Sequence, residues 1–234
     1  MRKYIHQHAG TIKNKIKLLS LELIIILTAF FSSAFLVIFL VREVFVEKEE
    51  KFDNEVFNFW SRHVSDTFTE VMQFFTFFGS QHFLVPANLL LIAYSFFVKR
   101  DTWFTIKTTA IAFSSLLLMF GLKLYFNRPR PLTPLLKHAS GFSFPSGHAF
   151  MSFTFFGLLI YMVYARTKNI VLKIFLIALF LSMSVMVGIS RIYLRVHYAT
   201  DVLAGFAMGV IWLTLSLWLL HIIENNKTKL PPVQ

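Results

Sequence analysis

The sequence predicts an all-α integral membrane bundle of six transmembrane helices, with an amphipathic helical segment in the first extracytoplasmic loop. Three observations predict it. Apolar residues make up 56% of the 234-residue chain and charged residues only 15%, whereas a soluble domain has about 45–50% and about 25%. The excess falls in blocks about as long as the ~20 residues that cross the hydrocarbon core of a bilayer. Between the blocks, short connectors alternate between Lys/Arg-rich and mixed or acid-rich character.

The elements follow in order. Residues 1–17 are a polar tail carrying Arg2, Lys3, Lys13, Lys15 and Lys17. A first span over about 18–41 is too long for a signal-peptide core and lacks a small-residue cleavage site, so it stays in the membrane. The longest polar interval, about 42–81, holds most of the acids. Within it Phe52, Val56, Phe59, Trp60, Val64 and Phe68 recur at helical spacing, which predicts an amphipathic helix lying on the bilayer or on the bundle. Further spans cover about 83–98, 103–126, 147–164, 171–189 and 200–223. The connector 127–145 carries four of the seven prolines and reads as a stiff, non-helical loop. One six-span domain therefore occupies 18–224, followed by a polar tail over 225–234.

Six spans put both termini on one side. The two tails and the connectors Lys99-Arg100-Asp101 and 165–169 are basic and nearly free of acids, the cytoplasmic signature. The 42–81 interval, the proline-rich loop and the 190–199 connector then share the extracytoplasmic face. The same placement of charge explains the formal net charge of +11. Cations beside spans set orientation and meet anionic lipid, and no basic stripe with interleaved aromatics points to nucleic acid. The absence of cysteine excludes disulfides, thiolate catalysis and Cys-bound metal.

Three polar clusters stand at that extracytoplasmic face. The first is Lys123 through Pro131, in which Arg128 and Arg130 are interleaved with Pro129 and Pro131. Taken alone it reads as an interfacial anchor, but the positive-inside bias disfavours cations on this side. The second is Pro145-Ser146-Gly147-His148. Ser146 falls at the expected N-cap of the fourth span, beside unpaired backbone amides, and Gly147 permits close approach of an anion. A plain serine cap would not need His148. The third cluster runs from Ser190 to Asp201. With a helix starting near His197, Asp201 lies on the same face as His197 and holds one ring nitrogen, fixing the tautomer at the other. The bland alternative pairs Asp201 with Arg195. Ionisable residues at the end of an apolar span nevertheless favour function.

Together these residues form a cationic, amide-rich seat for a multi-oxygen dianion, with two histidines beside it. One imidazole can attack phosphorus while the other, protonated, serves the leaving oxygen. No HExxH run or dense acid cluster calls for a catalytic metal, and no cofactor is expected.

Lys123, six residues, Arg130-Pro131; Pro145-Ser146-Gly147-His148; and Ser190-Arg191, five residues, His197, three residues, Asp201 together resemble the three-part signature of the phosphatidic acid phosphatase type 2 superfamily. The motif core covers 123–201. The resemblance implies a membrane lipid phosphatase in which His197 is the phosphorylated nucleophile, Asp201 orients it and His148 is the general acid. It also implies that Lys123, Arg130, Ser146, Gly147 and Arg191 bind the phosphate. Arg128 and Arg195 fall outside the signature and read as headgroup or structural residues. The expected partner is a membrane lipid: an isoprenyl diphosphate such as undecaprenyl diphosphate, phosphatidylglycerol phosphate or phosphatidic acid. A lipid phosphotransferase would use the same intermediate. An anion transporter would break its helices near the midplane, whereas here the polar clusters stand at span ends. A serine protease using Ser146 and His148 would leave Lys123, Arg130 and Arg191 without a role.

Overall fold

The computed structural model describes residues 2–132, 134, 135 and 141–228, with side chains from residue 21 to residue 227. The basic side chains of the 1–17 tail, part of the proline-rich loop and residues 229–234 lie outside the described residues. The described chain is helical throughout its regular structure. Helix α1 (Arg2–Val41) runs on through a wider π-helical turn, Arg42–Glu47. Then come α2 (Lys51–Ser61), α3 (Asp66–Phe77) and α4 (Gln81–Ala93), the last extended by a second π-helical turn, Tyr94–Val98. The remaining helices are α5 (Thr102–Phe126), α6 (Gly147–Arg166), α7 (Ile170–Tyr193) and α8 (Ala199–Thr228).

Six stretches are long and apolar enough to cross a membrane: Leu21–Glu47, Asp66–Val98, Thr102–Phe126, Gly147–Arg166, Ile170–Tyr193 and Ala199–Lys227. Five agree with the spans read from sequence. The second begins at Asp66 rather than near residue 83, and geometry explains why. Sixteen helical residues rise only about 24 Å, short of the ~30 Å hydrocarbon core, so α3 completes the crossing. The two helices meet at Phe78-Gly79-Ser80. There Gly79 N–H donates to Thr76 O at 3.1 Å and Ser80 N–H to Phe77 O at 3.0 Å, so the break leaves few backbone groups unpaired. The amphipathic helix expected in this interval is therefore α2 alone, and Phe68 belongs to the span.

At one end of the bundle the C-termini of α5 and α7 meet the N-termini of α6 and α8. Leu40, Met119, Phe144, Phe150, Ala204 and Met208 form a buried cluster there. A second cluster, Met72, Tyr193, Leu194 and Val196, packs α3 against the end of α7, with Trp60 of α2 against it. The Tyr193 hydroxyl meets Thr69 Oγ1 at 3.0 Å, so its one polar atom is satisfied in an apolar setting. At the opposite end Lys107 of α5 donates to Glu224 of α8 at 2.7 Å and to the Tyr161 hydroxyl of α6 at 3.4 Å. Arg166 and Asp101 form a further ion pair beside it. Paired in this way, the buried Lys107 ties three helices together where a lone ion would be costly.

Helix α8 approaches the start of α6 unusually closely at Gly205. A Cβ added there would lie 2.7 Å from the Ser146 carbonyl oxygen and 3.1 Å from Ala149 Cβ. Because the first obstacle is backbone, relief requires the two helices to separate. Gly205→Ala is expected to destabilise the bundle by about 1–3 kcal/mol, the usual penalty of overpacking. Detergent-resistance or thermal-unfolding measurements on the purified variant check this.

Candidate active site

The first cluster takes its shape from the end of α5. Asn127 adopts a left-handed conformation (φ 47°) and its N–H closes on Lys123 O at 3.1 Å. Asparagine tolerates that region better than most residues and ends the helix. The chain then runs on through Arg128-Pro129-Arg130-Pro131. Lys123 Nζ donates to Phe142 O at 2.6 Å. Arg130 donates from Nε to Gly141 O at 2.9 Å and from Nη1 to Val196 O at 2.6 Å. The same Nη1 stands 3.3 Å from His197 Nε2. Arg130 thus joins the first cluster to the third.

The second cluster is the N-terminus of α6. Ser146 is its N-cap, its hydroxyl accepting from Ala149 N–H at 3.5 Å, and its own N–H donates to Asp201 O at 2.9 Å. The backbone therefore ties the second cluster to the third. A Cβ at Gly147 would lie at ordinary contact distance, 3.5 Å, from Lys123 Cε. Folding alone does not demand glycine here. The glycine leaves open the approach to the helix end, where amides and dipole favour an anion. His148 sits in the first turn of α6 against Gly79 of the second span: a Cβ on Gly79 would meet Val187 Cγ1 at 2.4 Å and His148 Cδ2 at 3.1 Å. The break between α3 and α4 therefore makes room for the His148 ring.

The third cluster begins on α7. Arg191 is buried and donates from Nη1 to Thr76 Oγ1 at 2.7 Å, while its Nε, also buried, has no hydrogen-bond partner. An unpaired buried guanidinium donor is costly and marks a place for an acceptor. Helix α8 starts at Ala199, so His197 precedes it rather than opening it as expected. Asp201, in the first turn, still reaches back. Its Oδ2 lies 3.4 Å from His197 Nδ1 and accepts from Tyr198 N–H at 2.9 Å and from the Ser143 hydroxyl. Its Oδ1 accepts from Arg128 Nη1 at 2.7 Å. The partner of Asp201 is Arg128, not Arg195, which turns away to donate to Ser61 Oγ at 2.9 Å.

His197 is buried, 1% exposed. Burial, reinforced by Arg191 and Arg130 and opposed by Asp201, pushes its imidazole down to about 4. The ring is therefore neutral at ordinary pH. Arginine has no acceptor, so its 3.3 Å contact requires Nε2 to carry the lone pair. Asp201 and Ser143 then face the protonated Nδ1. Burial also lowers the Arg130 guanidinium from its ordinary value. Arg128 goes the other way: burial opposes its charge, but Asp201 and Asp53 outweigh it and raise the group.

A cavity of about 1000 Å³ adjoins this constellation. Arg130, Gly147, His148 and Arg191 line one end. Leu84, Val85, Leu89 and Ile92 of α4 and Ala112, Phe113 and Leu116 of α5 wall much of the rest, joined by Gln73, Thr76 and Phe77 of α3. Val85, Leu89, Phe113 and Leu116 are themselves more than half exposed on the outside of the bundle, so the cavity opens sideways between α4 and α5. All eight residues singled out from the sequence thus gather at one end of the bundle, around a polar seat heading an apolar cleft. Such a site can hold a tetrahedral oxyanion by charge-assisted bonds and present a nitrogen lone pair to it. Among the described residues no three His, Asp or Glu side chains cluster as a metal-ligand set.

Sequence reasoning missed Ser143, Thr76 and Asp53. Only Asp53 left a signal: it falls on the apolar stripe of α2 with Val56, Phe57 and Trp60, where a carboxylate needs a partner.

Residues 104–224 match the family model described as the PAP2 superfamily. The chain is 35% identical over 148 residues to phosphatidylglycerophosphatase B of Bacillus subtilis (strain 168), covering 61% of this chain and 70% of that protein. It is 36% identical over 84 residues to the bacitracin transport permease protein BcrC of Bacillus licheniformis, covering 36% of each. Among solved structures it resembles the transmembrane PAP2 type phosphatidylglycerolphosphate phosphatase from Bacillus subtilis, with a TM-score of 0.73 and 27% identity over 88% of this chain and 98% of that one. Aquifex aeolicus LpxE matches with a TM-score of 0.55 and 25% identity, over 70% of this chain and 93% of that one.

Proposed function

Since the chain belongs to the PAP2 superfamily, as a multi-pass membrane lipid-phosphate hydrolase, we propose that it removes the terminal phosphate of a membrane lipid through a phosphohistidine on His197. Phosphatidylglycerol phosphate is the first candidate substrate, by analogy with the relative named for it. Undecaprenyl diphosphate and phosphatidic acid are the others. The reaction takes place at the extracytoplasmic face, with both termini cytoplasmic, in keeping with the basic tails and the basic 99–101 and 165–169 connectors.

The chemistry needs no added group. Lys123, Arg130, Arg191 and the α6 amides at Ser146 and Gly147 hold the phosphate oxygens, compensating charge that grows in the transition state. His197 Nε2 attacks phosphorus, and the bond from phosphorus to the lipid oxygen breaks. Protonated His148 gives that oxygen its proton. Water then attacks the phosphohistidine, His148 takes the proton back, and inorganic phosphate leaves. Asp201 holds the His197 tautomer and compensates the charge on the phosphorylated ring.

The function rests above all on one juxtaposition: the lone pair of a neutral His197 stands beside Arg130, at the head of a largely apolar cleft that opens toward lipid. Ala112→Trp fills that cleft without touching the polar seat. This variant is expected to lose at least about tenfold in kcat/KM for long-chain lipid phosphates, a loss of the size that blocked apolar contacts give. Hydrolysis of p-nitrophenyl phosphate should stay within twofold of wild type. Equal loss on both substrates would refute the cleft as the lipid's place. A panel of the three lipid classes on the wild-type protein then selects the substrate by kcat/KM.

A further inference from the structure

The interfacial helix α2 contributes a side chain to the catalytic end of the bundle. Asp53 is 1% exposed. Its Oδ1 accepts from Thr200 N–H at 2.9 Å, and its Oδ2 accepts from Thr200 Oγ1 at 2.7 Å and from Arg128 Nη2 at 3.0 Å. Asp53 therefore caps the N-terminus of α8 from another helix, where the amides and the dipole favour a carboxylate. Arg128 spans two carboxylates with one planar fork: Nη2 meets Asp53 and Nη1 meets Asp201 Oδ1 at 2.7 Å and Thr200 Oγ1 at 2.8 Å. Its guanidinium lies 3.9 Å above the centre of the Tyr198 ring, and that ring packs on Phe57 of α2 at 5.6 Å.

We propose that Asp53 and Arg128 are positioning residues for the reaction, a relay that fixes the rotamer of Asp201 and through it the ring of His197. This rests on the reading of His197 as nucleophile. With Oδ1 of Asp201 anchored by Arg128, Oδ2 is turned toward Tyr198 N–H, Ser143 and His197 Nδ1. Remove the anchor and the carboxylate rotates to seek donors, and the ring it faces loses its orientation. Lysine cannot replace Arg128, because a point charge cannot bridge two carboxylates in one plane. Neither residue lines the substrate cavity, so the relay should act on turnover and not on binding.

The test is a double-mutant cycle on the full-length detergent-solubilised protein, with Asp53→Asn, Arg128→Lys and the pair. Asp53→Asn keeps the shape and the acceptor for Thr200 N–H but loses the charge. Folded protein is counted from the monodisperse size-exclusion peak, so misfolded protein does not enter kcat. Each single variant is expected to lose roughly 10- to 100-fold in kcat, with KM and the inhibition constant of inorganic phosphate within about twofold of wild type. The double variant should lose little more than the worse single one, because both break the same chain of contacts. If kcat per folded enzyme stays near wild type in Asp53→Asn, or the two losses multiply, the relay is wrong. Phosphate affinity falling in step with kcat would make Asp53 a plain structural residue and overturn the proposal equally. His197→Ala in the same assay separates the two claims. Activity surviving there refutes the nucleophile itself, whereas an inactive His197→Ala beside a normal Asp53→Asn refutes only the relay.

Discussion

Replacing His197 by alanine is expected to lower kcat for lipid-phosphate hydrolysis by roughly four to six orders of magnitude, the scale on which removal of a covalent nucleophile acts. The loss should be the same with and without excess chelator. Wild-type enzyme quenched in alkali during turnover should carry covalently bound phosphate that acid releases, as expected of an N–P bond, and the variant should carry none. The physical ground is the state of the ring. Burial beside Arg191 and Arg130 holds the imidazole down to about 4, so at neutral pH its Nε2 lone pair is available without a base to expose it. The same cations that depress the ring also draw the phosphate dianion to it, and the approach of that dianion cancels their effect as the reaction begins. Substantial activity in the alanine variant, or wild-type activity that disappears on chelation, would contradict a phosphohistidine route.

Arg191→Met should separate catalysis from stability. Arg191 is 5% exposed, its Nη1 donates to the Thr76 hydroxyl, and its Nε is orphaned. It shares the cavity wall with Arg130. An empty site therefore holds cations that repel one another with little to offset burial. Methionine fills similar space without charge. The expected result is a fall of about a thousand-fold in kcat/KM, the upper end for loss of one oxyanion donor. Alongside it, the ligand-free variant should melt a few degrees higher, at about 2–4 °C per kcal/mol gained for a chain of this size. Vanadate should raise the melting temperature of the wild type and leave that of the variant unchanged. A variant that melts lower, or still binds vanadate as tightly as wild type, would show that Arg191 belongs to the scaffold and not to the phosphate seat.

These expectations lean on features that were unequally legible in the sequence. The spans were readable because membrane crossing imposes long apolar runs, and the three clusters stood out as polar residues at their ends. The second span was cut short because Asp66, Glu70 and Gln73 dilute the hydropathy of α3, although Met72 and Thr76 of that helix are buried against the bundle. His197 was placed inside a helix because spacing alone cannot tell the first turn of α8 from the loop before it. Asp201 was bound to find a cation; its sequence neighbourhood offered Arg195, whereas the folded chain supplies Arg128. Choosing between them needed the fold, since Arg128 reaches Asp201 across 73 positions and Asp53 across 75. Local spacing reveals ligands that share a helix face. It is blind to a partner brought in by an interfacial helix two spans away.

The cleft between α4 and α5 also changes what concentration means for this protein. A substrate that slides in sideways never passes through water, so its encounters are counted per lipid molecule in the leaflet, not per volume of solution. Diluting the bilayer with inert lipid then starves the enzyme, while diluting the vesicles in buffer does not. Product left in the same leaflet competes for the same opening, and its hold weakens as it spreads into the surrounding lipid.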